Sequence, residues 1–369
     1  MNANITVFLI IAAFLGLIGC SNPQTTNTDS SEAAQMPVPI VFPDTQENQR
    51  IVTASYLEYL EIDKVHGRDI EVNGINMHYL EWGNDSGTPL IWSHGYSSTA
   101  FEMSNTGAKL ADAGYHVYAI SYRGHGQTQV NDYNFSLSHI ADDIAAMLDK
   151  LGISKAVIGG LSLGGGVATT FYENYPERTL ALALEDGGAD SVQVRTEKLY
   201  EQVKEYMADI PPYVDPVFQD RFEGFQYISN FFLPSWGGSL PPGTGPMIAS
   251  WIVENDDGTF GVHYNGPKLF GDRTVAAMEP AQSHKLPLLH QSWRRVHPII
   301  TYRNLSVPML IIDPTGDDFK LGIFYEELRA LHPDLITVVE YENTPHAAHP
   351  MRPDWFVRDM GKLLAQVKK

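Results

Sequence analysis

Gly160-Leu161-Ser162-Leu163-Gly164 sets one serine between two glycines, after the apolar run Ala156-Val157-Ile158 and before the small-residue run Gly165-Gly166-Val167-Ala168. The pattern predicts a strand, a sharp turn and a helix, an arrangement that lifts a hydroxyl clear of a sheet. A serine hydroxyl alone is a weak nucleophile. It needs a base to take its proton, a carboxylate to orient that base, and donors for the oxyanion formed when it attacks a carbonyl. Gly160 and Gly164 stand where any Cβ would crowd a strained turn, and Gly165 and Gly166 would let the following helix lie close on the sheet. Carboxylates and histidines follow later in the chain: Glu185-Asp186 ends one apolar run, Asp313-Pro314-Thr315-Gly316-Asp317-Asp318 ends another, and His346 and His349 come near the C-terminus.

The elements that must position these groups read as alternating short strands and helices from about residue 70. Residues 75–81, 89–93 and 115–120 read as strands, with a helix over about 103–113. A helix over 137–151 carries Ile140, Ile144, Met147, Leu148 and Leu151 on one face. The strand before the serine turn, a helix to near Tyr175 and a strand over 179–184 come next. Strands apolar on both faces and separated by helices imply a parallel sheet covered on both sides. The alternation stops at about Asp186 and resumes near Val307. The stretch between is rich in aromatics, Pro and Gly and reads as a cap inserted over the site, its aromatics lining an apolar pocket or packing as a second core. A strand over 308–312, a helix over 321–331, a strand over 336–341 and a closing helix over 355–367 complete the chain.

Four motifs in order give the chain a resemblance to the α/β-hydrolase superfamily, over about residues 69–369 less the cap. Ser93-His94-Gly95-Tyr96 resembles its oxyanion loop, and Tyr122-Arg123-Gly124-His125-Gly126 its RGHG turn. The Ser162 pentapeptide resembles its nucleophile elbow. Asn343-Thr344-Pro345-His346, with Pro353 and Phe356, resembles its histidine loop before the last helix. The resemblance implies an α/β-hydrolase fold, mostly parallel, with core segments 51–186 and 298–369 and a cap at 187–297. It implies that Ser162 is the nucleophile and that His346, seven residues before Pro353, is the base. The backbone N–H groups of Tyr96 and Leu163 are the implied oxyanion donors. It places the acid at Asp317, with Asp318 beside it and Asp186 after the preceding strand as alternatives. His349 is expected at the surface or in a supporting position, and His94 and His125 in packing and hydrogen bonding.

Residues 5–19 are apolar apart from Thr6, close to the ~7–15 residues of a signal-peptide core and short of the ~20 that span a bilayer. The run ends Leu17-Ile18-Gly19-Cys20, which resembles the lipobox of bacterial lipoproteins. That resemblance implies a signal peptide over 1–19, lipid on Cys20 and an extracytoplasmic, membrane-anchored protein. Cys20 is the single cysteine of the chain, so no intrachain disulfide can form. Residues 20–50 read as the lipidated cysteine and a flexible tether. A net charge of −19 without a basic stripe argues against a nucleic-acid partner and reads as a solvated, self-repelling surface. Thirteen histidines include no H-E-x-x-H spacing, so no metal or other cofactor is expected.

A serine at the elbow, where epoxide hydrolases and haloalkane dehalogenases of the superfamily carry aspartate, points to acyl chemistry. The expected reaction is hydrolysis of a small or medium, partly apolar carboxylic ester or lactone through an acyl-enzyme. C–C bond hydrolysis, amide or peptide hydrolysis and acyl transfer could use the same triad, and a lipid-anchored binding protein without turnover is the non-enzymatic alternative.

Overall fold

Ten strands and the helices between them make up the computed structural model, which describes residues 41–194, 197, 214–270, 284–316 and 321–367. Cys20 and most of the expected tether lie outside the described residues. The strands are β1 (Gly67–Val72), β2 (Ile75–Trp82), β3 (Thr88–Ser93), β4 (Tyr115–Ile120), β5 (Ala156–Leu161), β6 (Thr179–Glu185), β7 (Ile252–Glu254), β8 (Phe260–Val262), β9 (Met309–Pro314) and β10 (Ile336–Tyr341). Flanking them are α1 (Gln46–His66), α2 (Gly107–Asp112), α3 (Leu137–Lys150), α4 (Leu163–Asn174), α5 (Arg221–Phe232), α6 (Gly245–Ser250), α7 (Leu288–Arg294), α8 (Gly322–Leu331) and α9 (Pro353–Val367).

Eight of the strands form one sheet in the order β1-β2-β4-β3-β5-β6-β9-β10. β1 and β2 pair antiparallel, as do β2 and β4, and from β4 to β10 every pairing is parallel. β4 and β5 are buried along their whole length, which is why both read in the sequence as unbroken apolar runs. One apolar layer joins a face of the sheet to α3 and α4. The opposite layer joins the other face to α2 and α9, where buried Trp92 meets Phe356 edge to face with ring centroids 5.2 Å apart. This is the mostly parallel, doubly covered α/β-hydrolase architecture.

Two features were not anticipated from the sequence. α1 begins at Gln46, inside the stretch read as tether, with the Thr45 side chain accepting the Asn48 N–H at 3.1 Å. Its first turns pack against the inserted segment between β6 and β9. There Phe42 and Val52 join Phe225, Ile228, Trp236 and Ile248 in a separate apolar core. Phe225, Trp236 and Trp251 are thus packing residues of the insertion. Secondly, β1 adds an antiparallel edge before the predicted first strand.

Candidate active site

Ser162 sits between β5 and α4 at φ 56°, ψ −115°, a left-handed conformation that a side chain opposes by ~1–3 kcal/mol. Surrounding contacts hold it there. Its N–H donates to the Glu185 carbonyl at 2.8 Å, and its carbonyl accepts the Gly166 N–H at 3.2 Å. The flanking glycines are dictated by close approach: a Cβ on Gly164 would lie 2.0 Å from the Ser93 carbonyl oxygen, and one on Gly160 would lie 2.4 Å from the Gly164 backbone. Gly165 does face the chain just after β6, since its Cβ would lie 2.4 Å from the Gly187 carbonyl oxygen. Gly166 instead faces the insertion, where a Cβ would come within 3.0 Å of the Trp293 indole.

The Gly164 contact also ties the start of α4 to the loop after β3, and so brings Leu163 and Tyr96 onto two segments clamped together. Gly95 is held from several sides in that loop. Its N–H donates to Glu102 Oε2 at 3.0 Å, and its carbonyl accepts the Tyr122 hydroxyl at 3.3 Å. Tyr96 reaches toward the insertion, where its hydroxyl and His290 Nε2 are 2.8 Å apart and its ring stacks over Trp293 at 6.3 Å.

His346, buried in the loop after β10, donates from Nδ1 to the Asp186 carboxylate. Asp186 follows β6 directly at φ 44°, with its N–H on the Ile312 carbonyl at 3.1 Å and the Tyr325 hydroxyl donating to Oδ1 at 3.1 Å. Because β5 and β6 are paired through Leu161 and Glu185, Ser162 and Asp186 leave adjacent strand ends side by side. With Nδ1 donating, the neutral imidazole has its lone pair at Nε2, the form a general base requires.

Among the described residues, His346 meets the carboxylate of Asp186, the alternative placed below Asp317 in the sequence reading. Asp317 and Asp318 lie outside the described residues. Of the two places expected for His349, the structure shows the supporting one: it is fully buried between Glu185 and Glu102. Glu102 was not among the sequence candidates, and Glu185 entered only beside Asp186 as a carboxylate after that strand. The one signal was the Glu185-Asp186 pair closing an otherwise apolar strand, since a carboxylate at such a position is forced into the interior.

His94, His125 and His263 cluster behind the oxyanion loop. His94 stacks on Tyr122 at 3.9 Å, and burial pushes its pKa down to about 3. Burial likewise holds His125 well below the ordinary histidine range and pushes His263 down to about 4. His263 comes from the insertion, just after β8. Its Nδ1 accepts the Gly126 N–H at 2.7 Å, so its Nε2–H donates to the Ser97 carbonyl at 3.2 Å. One imidazole of the inserted segment thereby fastens to both the Tyr122–Gly126 turn and the loop after β3. Among the described residues no group of three or more His, Cys, Asp and Glu side chains is arranged to hold a metal ion.

Residues 88–224 match the family model described as alpha/beta hydrolase fold. The chain is 27% identical over 198 residues to a bifunctional esterase/perhydrolase of Acinetobacter calcoaceticus, covering 53% of this chain and 70% of that protein. It is 25% identical over 287 residues to a non-heme chloroperoxidase of Burkholderia pyrrocinia, covering 73% of this chain and 97% of that one. Among solved structures, E-2-(acetamidomethylene)succinate hydrolase superposes with a TM-score of 0.62 at 20% identity, over 81% of this chain and 98% of the other.

Proposed function

We propose that the protein is a serine hydrolase that cleaves a carboxylic ester or lactone through an acyl-enzyme. The observation that carries this reading is a strained serine at the end of β5 beside an Asp186–His346 pair at the ends of β6 and β10. In the proposed reaction His346 Nε2 takes the Ser162 hydroxyl proton as Oγ adds to the carbonyl carbon. Asp186 stabilises the resulting imidazolium, and the N–H groups of Tyr96 and Leu163 receive the oxyanion. Collapse expels the alkoxide, which takes the proton from His346. Water then adds to the acyl-enzyme with the same histidine as base, releasing the acid and restoring Ser162. The likeness to an esterase/perhydrolase supports acyl chemistry, and the Tyr96 and Trp293 rings beside the elbow favour a partly apolar acyl or alcohol group.

The test is a fluorophosphonate probe and a panel of short-chain p-nitrophenyl esters, lactones and amides, applied to wild type and Ser162→Ala. Labelling and ester turnover in the wild type, both absent in Ser162→Ala, are the expected result. A wild type that neither labels nor turns over any of the panel overturns the reading. Lipid anchoring through Cys20 is a separate proposal, checked by membrane fractionation of a Cys20→Ala variant: an unchanged membrane fraction would count against it.

A further inference from the structure

Beneath the reacting groups lies a second set of ionisable side chains that the chemistry above does not use. Glu185 precedes Asp186, His349 follows His346 by three positions, and both are fully buried, while Glu102 is 4% exposed. Glu185 Oε1 accepts the N–H groups of Ala348 and His349 at 2.6 and 2.9 Å. Its Oε2 faces His349 Nδ1 at 2.8 Å. On the other side of the ring, His349 Nε2 lies 3.1 Å from the Glu102 carbonyl oxygen. Glu102 completes the path, its Oε2 taking the Gly95 N–H at 3.0 Å and its Oε1 the Trp92 indole N–H at 3.4 Å. Both nitrogens of His349 thus face acceptors, which an imidazolium satisfies and a neutral ring does not. Burial works against that charge, but the Glu185 and Glu102 carboxylates outweigh it and leave His349 above its ordinary pKa.

Such a network is a poor device for stability alone, because desolvating buried charges offsets most of their attraction and apolar side chains would fill the space as well. Its value lies in what it joins. One end grips the loop that carries His346, and the other grips the amide next to Tyr96.

We propose that Glu185, His349 and Glu102 are positioning residues that lock the His346 loop and the Tyr96 oxyanion loop into one rigid unit. The proposal rests on the serine-hydrolase reading, since it assigns these groups to the placement of that reading's base and donor. Misplacement of a catalytic group by about 1 Å costs on the order of 100-fold in rate. Glu102→Gln and Glu185→Gln keep an oxygen acceptor at each position while removing its charge, and Glu185→Ala removes both. Folded Gln variants, assayed well below their Tm, are expected to lose roughly ten- to hundred-fold in kcat and phosphonate-labelling rate, with KM within about three-fold. Glu185→Gln should retain more rate than Glu185→Ala.

A second measurement needs no variant. In the wild type, the Gly95, Ala348 and His349 amides should exchange hydrogen with one common opening free energy. Separate openings overturn the proposal, as do folded Gln variants of undiminished kcat and labelling rate. Either result leaves the Ser162 assignment standing. A wild type that neither labels nor turns over overturns both.

Discussion

Asp186 and Asp317 pose the sharpest question at the scale of single residues. Asp186 bonds His346 Nδ1, so Asp186→Asn, which offers that nitrogen the wrong tautomeric partner, should lower kcat by about 10⁴-fold. Asp317→Asn should change it by less than about ten-fold if Asp186 alone orients the imidazole. Steady-state kinetics on the two variants decide the matter, and a larger loss from Asp317→Asn would return the acid to the position that spacing favoured. The sequence made Ser162 and His346 legible because their neighbours obey local rules: glycines around a tight turn, a fixed count to the proline opening the last helix. The acid obeys no such rule. Two strands end in carboxylates, and which one meets His346 depends on backbone direction, here a left-handed φ of 44° at Asp186. The burial of His349 leaves no local signal, since it comes from Glu185 at the end of β6 and from Glu102, both remote in sequence.

At the scale of elements, the contact between α4 and the loop after β3 is the joint on which the site depends. Gly164→Ala would push a methyl to 2.0 Å from the Ser93 carbonyl oxygen, a backbone clash that no side-chain rotation relieves. Its expected cost is about 3 kcal/mol or more, seen as a lowered denaturant midpoint. Gly166→Ala meets only the edge of Trp293 at 3.0 Å and should cost less than half as much. Equal midpoints for the two variants would contradict this ranking. Core strands were readable because burial on both faces leaves an unbroken apolar run, and α3 because its buried residues recur on one face. α1 was not, since Val52 and Ser55 are its only fully buried residues among many polar ones, and Leu57 and Leu60 remain exposed. A helix held by so few inward side chains leaves almost no periodic signal.

Across the whole molecule, the imidazoles behind the oxyanion loop set the response to acid. An unfolded histidine titrates near 6.5, whereas burial pushes His94 down to about 3 and His263 down to about 4. Below pH 6.5 the unfolded chain takes up protons that the folded chain refuses, so these residues' contribution, full above that pH, is lost between about 6.5 and 3. His349 works in the opposite sense. Its raised pKa contributes stability below about 6.5 that is lost as pH rises through the folded value. Urea midpoints at pH 7.5, 5.5 and 4.5 should therefore fall steadily on acidification, and His94→Gln should flatten the slope. An unaltered slope in that variant would remove His94 from the account.

α1 also makes the molecule a mechanical assembly. Its 21 residues span about 31 Å, from the turns that carry Val52 into the core of the insertion to the edge of the sheet, where Asp63 meets His78 at 2.9 Å and the His66 ring leans on Trp82. Midway, Ser55 presses so closely on α6 that a Cβ on Gly245 would lie 2.2 Å from its hydroxyl oxygen. The helix is a strut with a bearing at each end and one in the middle. A pull applied at Thr45 would load the packing between α1 and the inserted segment before it loaded the sheet edge.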